Sequence, residues 1–127
     1  MDELLRAALA ARENAYAPFS HFRVGAAVED ENGRIFTGCN VENATYGLTV
    51  CAERVAVFKG ISEGARRFRR IAVAAALKLA TPCGACRQIL WEFGGDMEVI
   101  LVNPAGETLT LHMAELLPRA FDASNLD

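Results

Sequence analysis

Two short segments from separate parts of this chain have to meet in space: Cys51-Ala52-Glu53 and Pro82-Cys83-Gly84-Ala85-Cys86. Together they carry three thiols able to share one metal ion, with a single residue between the first thiol and a carboxylate. Three protein ligands on a tetrahedral zinc leave one position for water or substrate, the arrangement of catalytic sites, whereas structural sites close with four. Water activated at such a position needs a base, and Glu53 is the base at hand. Any fold available to the chain has to deliver both segments to one place.

Each segment stands where a loop or strand runs into a predicted helix start. Helix N-termini carry partial positive charge and unpaired N–H groups, which favour thiolate over thiol. Cys83 and Cys86 are three apart, so one helical turn brings both sulfurs to one ion. Zinc suits this set, because thiolates are soft ligands and hydrolytic chemistry needs no redox change. Three thiolates leave a net negative site, and something has to draw charge off the sulfurs. Arg54 and Arg87, each beside a key segment, are the predicted donors to thiolate. The residues alone leave alternatives open. A thioredoxin-like redox pair at Cys83 and Cys86 gives Cys51 and Glu53 no role. A closed site can recruit Cys39 as a fourth ligand, iron–sulfur ligation usually takes four protein ligands, and a free cysteine is often just a small buried residue.

At 127 residues the chain is predicted to form one domain, residues 1–127, with a core that needs no disulfide staples. Hydrophobic residues reach 52%, high for a small domain. Strands buried on both faces, or a subunit interface, would absorb the excess. No apolar run approaches the roughly 18 residues that span a bilayer, and the N-terminus lacks the regions of a signal peptide. These features predict a cytoplasmic protein with no membrane partner, in which a Cys-x-x-Cys pair binds metal or does redox chemistry rather than forming disulfides. The net charge of −3 argues against a nucleic-acid partner. The basic cluster Arg66, Arg67, Arg69 and Arg70 reads as a solvated connection between a helix and a strand.

Leu4, Leu5, Ala8, Leu9 and Ala11 recur at helical spacing, so Asp2 to Asn14 reads as an amphipathic helix with acids at its positive end. Pro18 ends that pattern. Phe22 to Glu29 and Arg34 to Cys39 read as strands joined through Asn32-Gly33, a strong hairpin signal. Asn40 to Thr49 is a polar loop of the kind that carries function, and Val50 to Gly64 returns to helical spacing. Ile71 to Leu77 is an apolar run suited to a buried strand, and Cys83 to Phe93 is a helix between Pro82 and Gly94-Gly95. Met97 to Val102 and Glu107 to Leu111 read as strands, and about Met113 to Leu117 as a last helix. The alternation predicts an α/β fold, a three-layer α/β/α sandwich around a central mixed five-stranded sheet.

AYAPFSHFRVGAA (residues 15–27), TGCNVENATYGLTVCAER (37–54) and PCGACRQIL (82–90) resemble the blocks of the cytidine deaminase family. A metal ligand followed by x-Glu and then Pro-Cys-x-x-Cys is the zinc-deaminase signature, which has an all-cysteine form. The resemblance implies Cys51, Cys83 and Cys86 as ligands of one zinc per subunit, with Glu53 as proton shuttle. It also implies ribose contacts from Asn40 and Glu42, packing of Phe22 against the nucleoside, and a homotetramer with shared sites. Ala44 and Tyr46 would then reach the sugar's 5′ end in a neighbouring site, and Phe121 would stack on a neighbour's base. A carboxylate such as Glu42 accepts well from a neutral sugar hydroxyl and repels a phosphate, and no glycine-rich phosphate cradle is present. The expected activity is hydrolytic deamination of cytidine and 2′-deoxycytidine to uridine and 2′-deoxyuridine, a step of pyrimidine salvage. A related deaminase of a nucleoside antibiotic such as blasticidin S, or a non-enzymatic zinc module, is the alternative. One stretch departs from the family: relatives commonly have an acidic residue and a longer link between Ile71 and Cys83, where this chain has the short segment Ala76–Thr81.

Overall fold

The computed structural model of the chain describes residues 1–126. The elements in chain order are α1 (Glu3–Arg12), β1 (Gly25–Asp30), β2 (Ile35–Cys39), α2 (Ala52–Ser62), β3 (Phe68–Ala74), α3 (Gly84–Gly94), β4 (Glu98–Val102), β5 (Thr108–His112) and α4 (Met113–Leu116). Single 3₁₀ turns cover Tyr46–Leu48 and Ala123–Leu126. The five strands form one mixed sheet in the order β2-β1-β3-β4-β5. Only β3 and β4 pair in parallel; the other neighbours are antiparallel. Strands and helices alternate as the sequence predicts, and the sheet lies between helical layers.

Side chains alternate across the sheet with period two. Ala26, Val28, Ile71, Val73, Val99 and Leu101 face the α2 and α3 side, where Ala52, Ala56, Val57 and Leu90 meet them. Ala27, Ala72, Ala74, Ile100 and Val102 face the other side, where Leu4, Leu5 and Ala8 of α1 cover them. The central strands β1, β3 and β4 are therefore apolar on both faces, which absorbs much of the hydrophobic composition. Each fully buried Leu, Ile or Val contributes roughly 1.5–3 kcal/mol by leaving water.

Two glycines let the helices come this close. A Cβ on Gly25 would sit 2.2 Å from the Ala8 carbonyl oxygen and 2.3 Å from the Arg12 nitrogen of α1. On Gly38 it would sit 2.5 Å from the Ala56 nitrogen and 2.6 Å from the Ala52 carbonyl oxygen of α2. Backbone, unlike the tip of a side chain, cannot step aside cheaply, so α2 rests on β2 at Gly38.

The element ends differ from the sequence reading for identifiable reasons. The first strand starts at Gly25 and not Phe22, because the backbone of 22–24 bonds to the Asn40 side chain instead of to a ladder. β3 starts at Phe68, before the predicted Ile71, so the basic cluster is not simply a solvated connection. Arg69 and Arg70 stand within β3 and both donate to the Glu29 carboxylate, at 2.9 and 2.6 Å. Arg70 also donates to Asp2 at 2.6 Å, tying the start of α1 to the sheet. These cations hold the Glu29 carboxyl below the usual carboxylate range, Arg70 having the larger effect. β3 ends at Ala74, short of Leu77, whose carbonyl instead accepts from the buried Asn103 amide at 2.8 Å.

Replacing Gly38 by Ala is expected to lower stability by about 1–3 kcal/mol, the scale of overpacking. Gly47→Ala, where an added Cβ meets nothing within 4 Å, should stay within about 0.5 kcal/mol of the parent. Denaturant unfolding of both variants checks this, and equal stabilities would remove Gly38 as the support of α2.

Candidate active site

β2 and β3 each run antiparallel to β1, so they point the same way, and each feeds a helix on the same face of the sheet. The first turns of α2 and α3 consequently open side by side at one sheet edge. That edge, outside the carboxyl ends of the strands, is where open α/β sheets place their sites. Cys51 is the N-cap of α2 and Cys83 the N-cap of α3, both in extended conformation. The segment entering α2 is steadied by a small ribbon in which Val41 bridges both Tyr16 and Val50.

The sulfurs of Cys51, Cys83 and Cys86 all lie within 4.8 Å of one another, with Cys51 and Cys83 at 4.0 Å. Two sulfurs on one tetrahedral zinc, with bonds of about 2.3 Å, stand about 3.8 Å apart, so the set fits that ion. Cys86 is buried, Cys51 half-buried and Cys83 exposed, giving a triad with a closed back and an open front. The Arg54 guanidinium donates to the Cys51 sulfur at 3.4 Å. Hydrogen bonding from Cys86, with Arg54 adding to it, pulls the Cys51 thiol down towards thiolate. The Cys86 thiol is pushed up, because it donates to Cys51 and is buried.

Glu53 lies in the first turn of α2 and is only 5% exposed. Burial pushes its carboxyl up to about 7, and the charge of Cys51 adds to that rise. Glu53, Cys51 and Cys83 line one cleft of about 280 Å³ together with Phe22, Asn40 and Glu42. Val24, Val50, Val73, Ala75 and Ala80 line it as well, a mainly apolar wall with a few polar groups of the kind that suits a small ligand.

Asn40 is nearly buried and its amide is already engaged: Oδ1 accepts from the Val24 nitrogen at 2.8 Å, and Nδ2 donates to the Phe22 carbonyl at 2.8 Å. Glu42 Oε1 accepts from the backbone nitrogens of Phe19 and Ser20 at 2.9 and 3.0 Å, and Oε2 accepts from the Ser20 hydroxyl. Tyr46 lines a shallower concavity that shares Ser20, Glu42 and Thr49 with the main cleft, and its ring meets Phe19 edge-on at 5.9 Å. Ala44, in the exposed loop, and Phe121, 58% exposed near the C-terminus, stand apart from the cleft lining of their own chain.

Arg87 is a correction to the sequence reading. Its guanidinium donates to the Pro82 carbonyl at 2.7 Å, the Leu116 carbonyl at 2.8 Å and the Thr81 hydroxyl at 2.9 Å, and not to a thiolate. Its side chain folds back over the link before Cys83, so it braces that link from behind. Ser20 and Thr81 line the cleft and went unremarked in the sequence. Ser20 stands inside the AYAPFSHFRVGAA block, which is the signal that would have found it.

Residues 1–103 match the family model for the cytidine and deoxycytidylate deaminase zinc-binding region. The chain is 48% identical to a probable cytidine deaminase of Dictyostelium discoideum, over 99% of this chain and 86% of that one. It is 46% identical to the cytidine deaminase of Sporosarcina psychrophila, over 99% and 94%. The crystal structure of cytidine deaminase from Burkholderia pseudomallei superposes with a TM-score of 0.90 at 48% identity, covering 95% of this chain and 100% of that one.

Metal uptake at the three sulfurs should release protons, since at least the Cys86 thiol has to ionise, and affinity should fall as pH is lowered. Chelator treatment is expected to lower the melting temperature and added zinc to restore it. Cys86→Ser should abolish that response in a thermal melt; a variant that still took up one zinc with parental affinity would remove Cys86 from the ligand set.

Proposed function

The chain belongs to the cytidine deaminase family, and we propose that its cleft carries out the hydrolytic deamination of cytidine and 2′-deoxycytidine to uridine and 2′-deoxyuridine, releasing ammonia. One observation carries this reading: two thiols of a three-cysteine metal set and a buried carboxylate line the same cleft as Asn40 and Glu42. Zinc bound by Cys51, Cys83 and Cys86 supplies Lewis acidity that lets a water lose its proton near neutral pH. Every remaining task falls to side chains. Glu53 takes one proton of the attacking water and passes it to ring N3; it then takes the second proton from the hydroxyl now on C4 and delivers it to the amino group, which departs as ammonia as the C4 carbonyl forms. A single carboxylate can act as base and then acid because it faces the same carbon throughout. Arg54 draws charge from the Cys51 sulfur, which keeps the metal electrophilic.

Asn40 and Glu42 orient the sugar through its hydroxyls, and Phe22 packs against the nucleoside at the mouth of the cleft. The negative Glu42 selects a neutral sugar over a phosphate, so free nucleosides are the substrates. The whole chain, residues 1–127, acts as one catalytic domain. It works in the cytoplasm, where reducing conditions keep the zinc thiols available. No helix among the described residues is long and apolar enough to cross a membrane.

The working form is a homotetramer. Support comes from large apolar side chains left in solvent near the site and at the C-terminus, among them Tyr46 (74% exposed), Leu48 (69%) and Phe121 (58%). Ala44 and Phe121 stand apart from their own chain's cleft and Tyr46 lies beside its rim; in the tetramer all three complete a neighbour's cleft.

Glu53→Gln should keep its zinc and lose about 10²-fold or more in turnover, the scale of general acid–base catalysis. Loss of cytidine absorbance in the ultraviolet measures it, and undiminished turnover would sink the assignment of Glu53. For the shared site, Glu53→Gln and Phe121→Ala chains assembled together should be more active than either alone, since a neighbour's Phe121 can complete a site with an intact Glu53. Activity no higher than the average of the two pure variants would place Phe121 outside the neighbouring site.

A further inference from the structure

The lip of the cleft, residues Phe19 to Val24, is held at both ends by the two side chains read as facing the sugar, with backbone bonds from His21 to Ala17 and from Asn40 to Val24 beside them. Asn40 fastens its far end at Phe22 and Val24, and Glu42 fastens its near end at Phe19 and Ser20. One hydroxyl joins these two fastenings. Ser20 Oγ donates to Glu42 Oε2 and accepts from the Phe22 nitrogen at 3.0 Å. A hydroxyl has one proton, so with the Phe22 N–H arriving as donor, that proton is committed to Glu42. Between Ser20 and Phe22 the chain turns through His21 in the left-handed region, φ 59°, and that corner brings the hydroxyl back onto the Phe22 amide.

We propose that Ser20 is a positioning residue for sugar recognition: its hydroxyl fixes the Glu42 carboxylate against the lip that carries Phe22, so that a sugar hydroxyl meets an acceptor already aimed. This rests on the reading that Glu42 and Asn40 face the sugar. A carboxylate has about four acceptor directions. Two on Oε1 are taken by Phe19 and Ser20 nitrogens, and one on Oε2 by the Ser20 hydroxyl. The single direction left over is the one a sugar hydroxyl can use. Without Ser20 the carboxylate keeps its anchor at Oε1 but loses the contact that sets its rotation, because the terminal torsion of Glu is intrinsically broad. Preorganisation of this kind lowers the cost of binding without adding a contact to the ligand. The same bond is also the largest of the effects that hold the Glu42 carboxyl below its ordinary range, which keeps it an acceptor. Ser20 borders both the main cleft and the shallower concavity beside Tyr46, so it stands where the sugar end of a nucleoside would pass.

A merely structural Ser20 and a positioning Ser20 differ in one readout, the dependence of the defect on the sugar. Kinetics of the zinc-loaded parent, Ser20→Ala and Ser20→Thr on cytidine, 2′-deoxycytidine, 3′-deoxycytidine and 2′,3′-dideoxycytidine separate them. Ser20→Ala is expected to raise KM for cytidine about tenfold, the scale of one misaligned hydrogen bond to a charged group, with a smaller change in kcat. The penalty for removing both sugar hydroxyls should shrink by a similar factor, since the acceptor they reward is no longer aimed. Ser20→Thr, which keeps the hydroxyl, should restore both. A defect of equal size on all four substrates, no defect at all, loss of zinc from Ser20→Ala, or failure of Ser20→Thr to rescue would each overturn the inference. A parent enzyme that left cytidine untouched would overturn the proposed function, and this inference with it; activity in the parent with a uniform Ser20→Ala defect would overturn the inference alone.

Discussion

Two helices beginning side by side at one edge of a sheet are the condition for everything else in this molecule. β2 and β3 point the same way because β1 runs against both, and α2 and α3 pack on one face with their N-termini together. Each N-terminus contributes unpaired N–H groups and partial positive charge, and each is capped by a cysteine. Three thiolates in a small volume would repel one another strongly in a neutral setting. Here the helix ends and Arg54 supply positive potential before any cation arrives. Glu53, in the first turn of α2, is buried by the same packing that brings the sulfurs together.

That packing depends on small residues. Alanines at 26, 27, 52, 56, 72 and 74 and glycines at 25 and 38 let helix backbone approach strand backbone closely. Larger side chains, among them Leu4, Ile71, Leu90, Leu101 and Met113, fill the rest of the core, while others remain in solvent around the cleft and near the C-terminus.

Much of this was legible from the residues. Alternating patterns located all five strands and four helices, Asn32-Gly33 marked the hairpin, with Gly33 at φ 86°, and the spacing of Cys83 and Cys86 foretold a shared ion. Element ends were less legible, and the reason is physical. Val24 ends outside the sheet because a side chain sixteen residues later takes its N–H, and β3 begins early because Glu29 on another strand meets Arg69 and Arg70. Such bonds depend on tertiary placement, which local pattern does not carry. Arg87 shows the same limit: adjacency to Cys86 suggested a sulfur contact, while its side chain reaches the Thr81–Pro82 link and the Leu116 carbonyl. Ala44 and Tyr46 could be named from the family blocks and Phe121 from the wider resemblance, yet no rule of period or spacing would have singled them out.

Asn40 does two jobs with one amide. Both ends of its side chain terminate backbone that would otherwise be left without partners, and its outer surface walls the cleft. Asp in its place would lose the donor to Phe22, and Gln would displace both contacts. A change at this position therefore alters the wall of the cleft and the anchoring of the lip together. Positions such as Thr49, Ala75, Ala80 and Thr81 line the same cleft and are free of that double duty at the lip. Variation that spares the fold is therefore open to those positions and closed to Asn40.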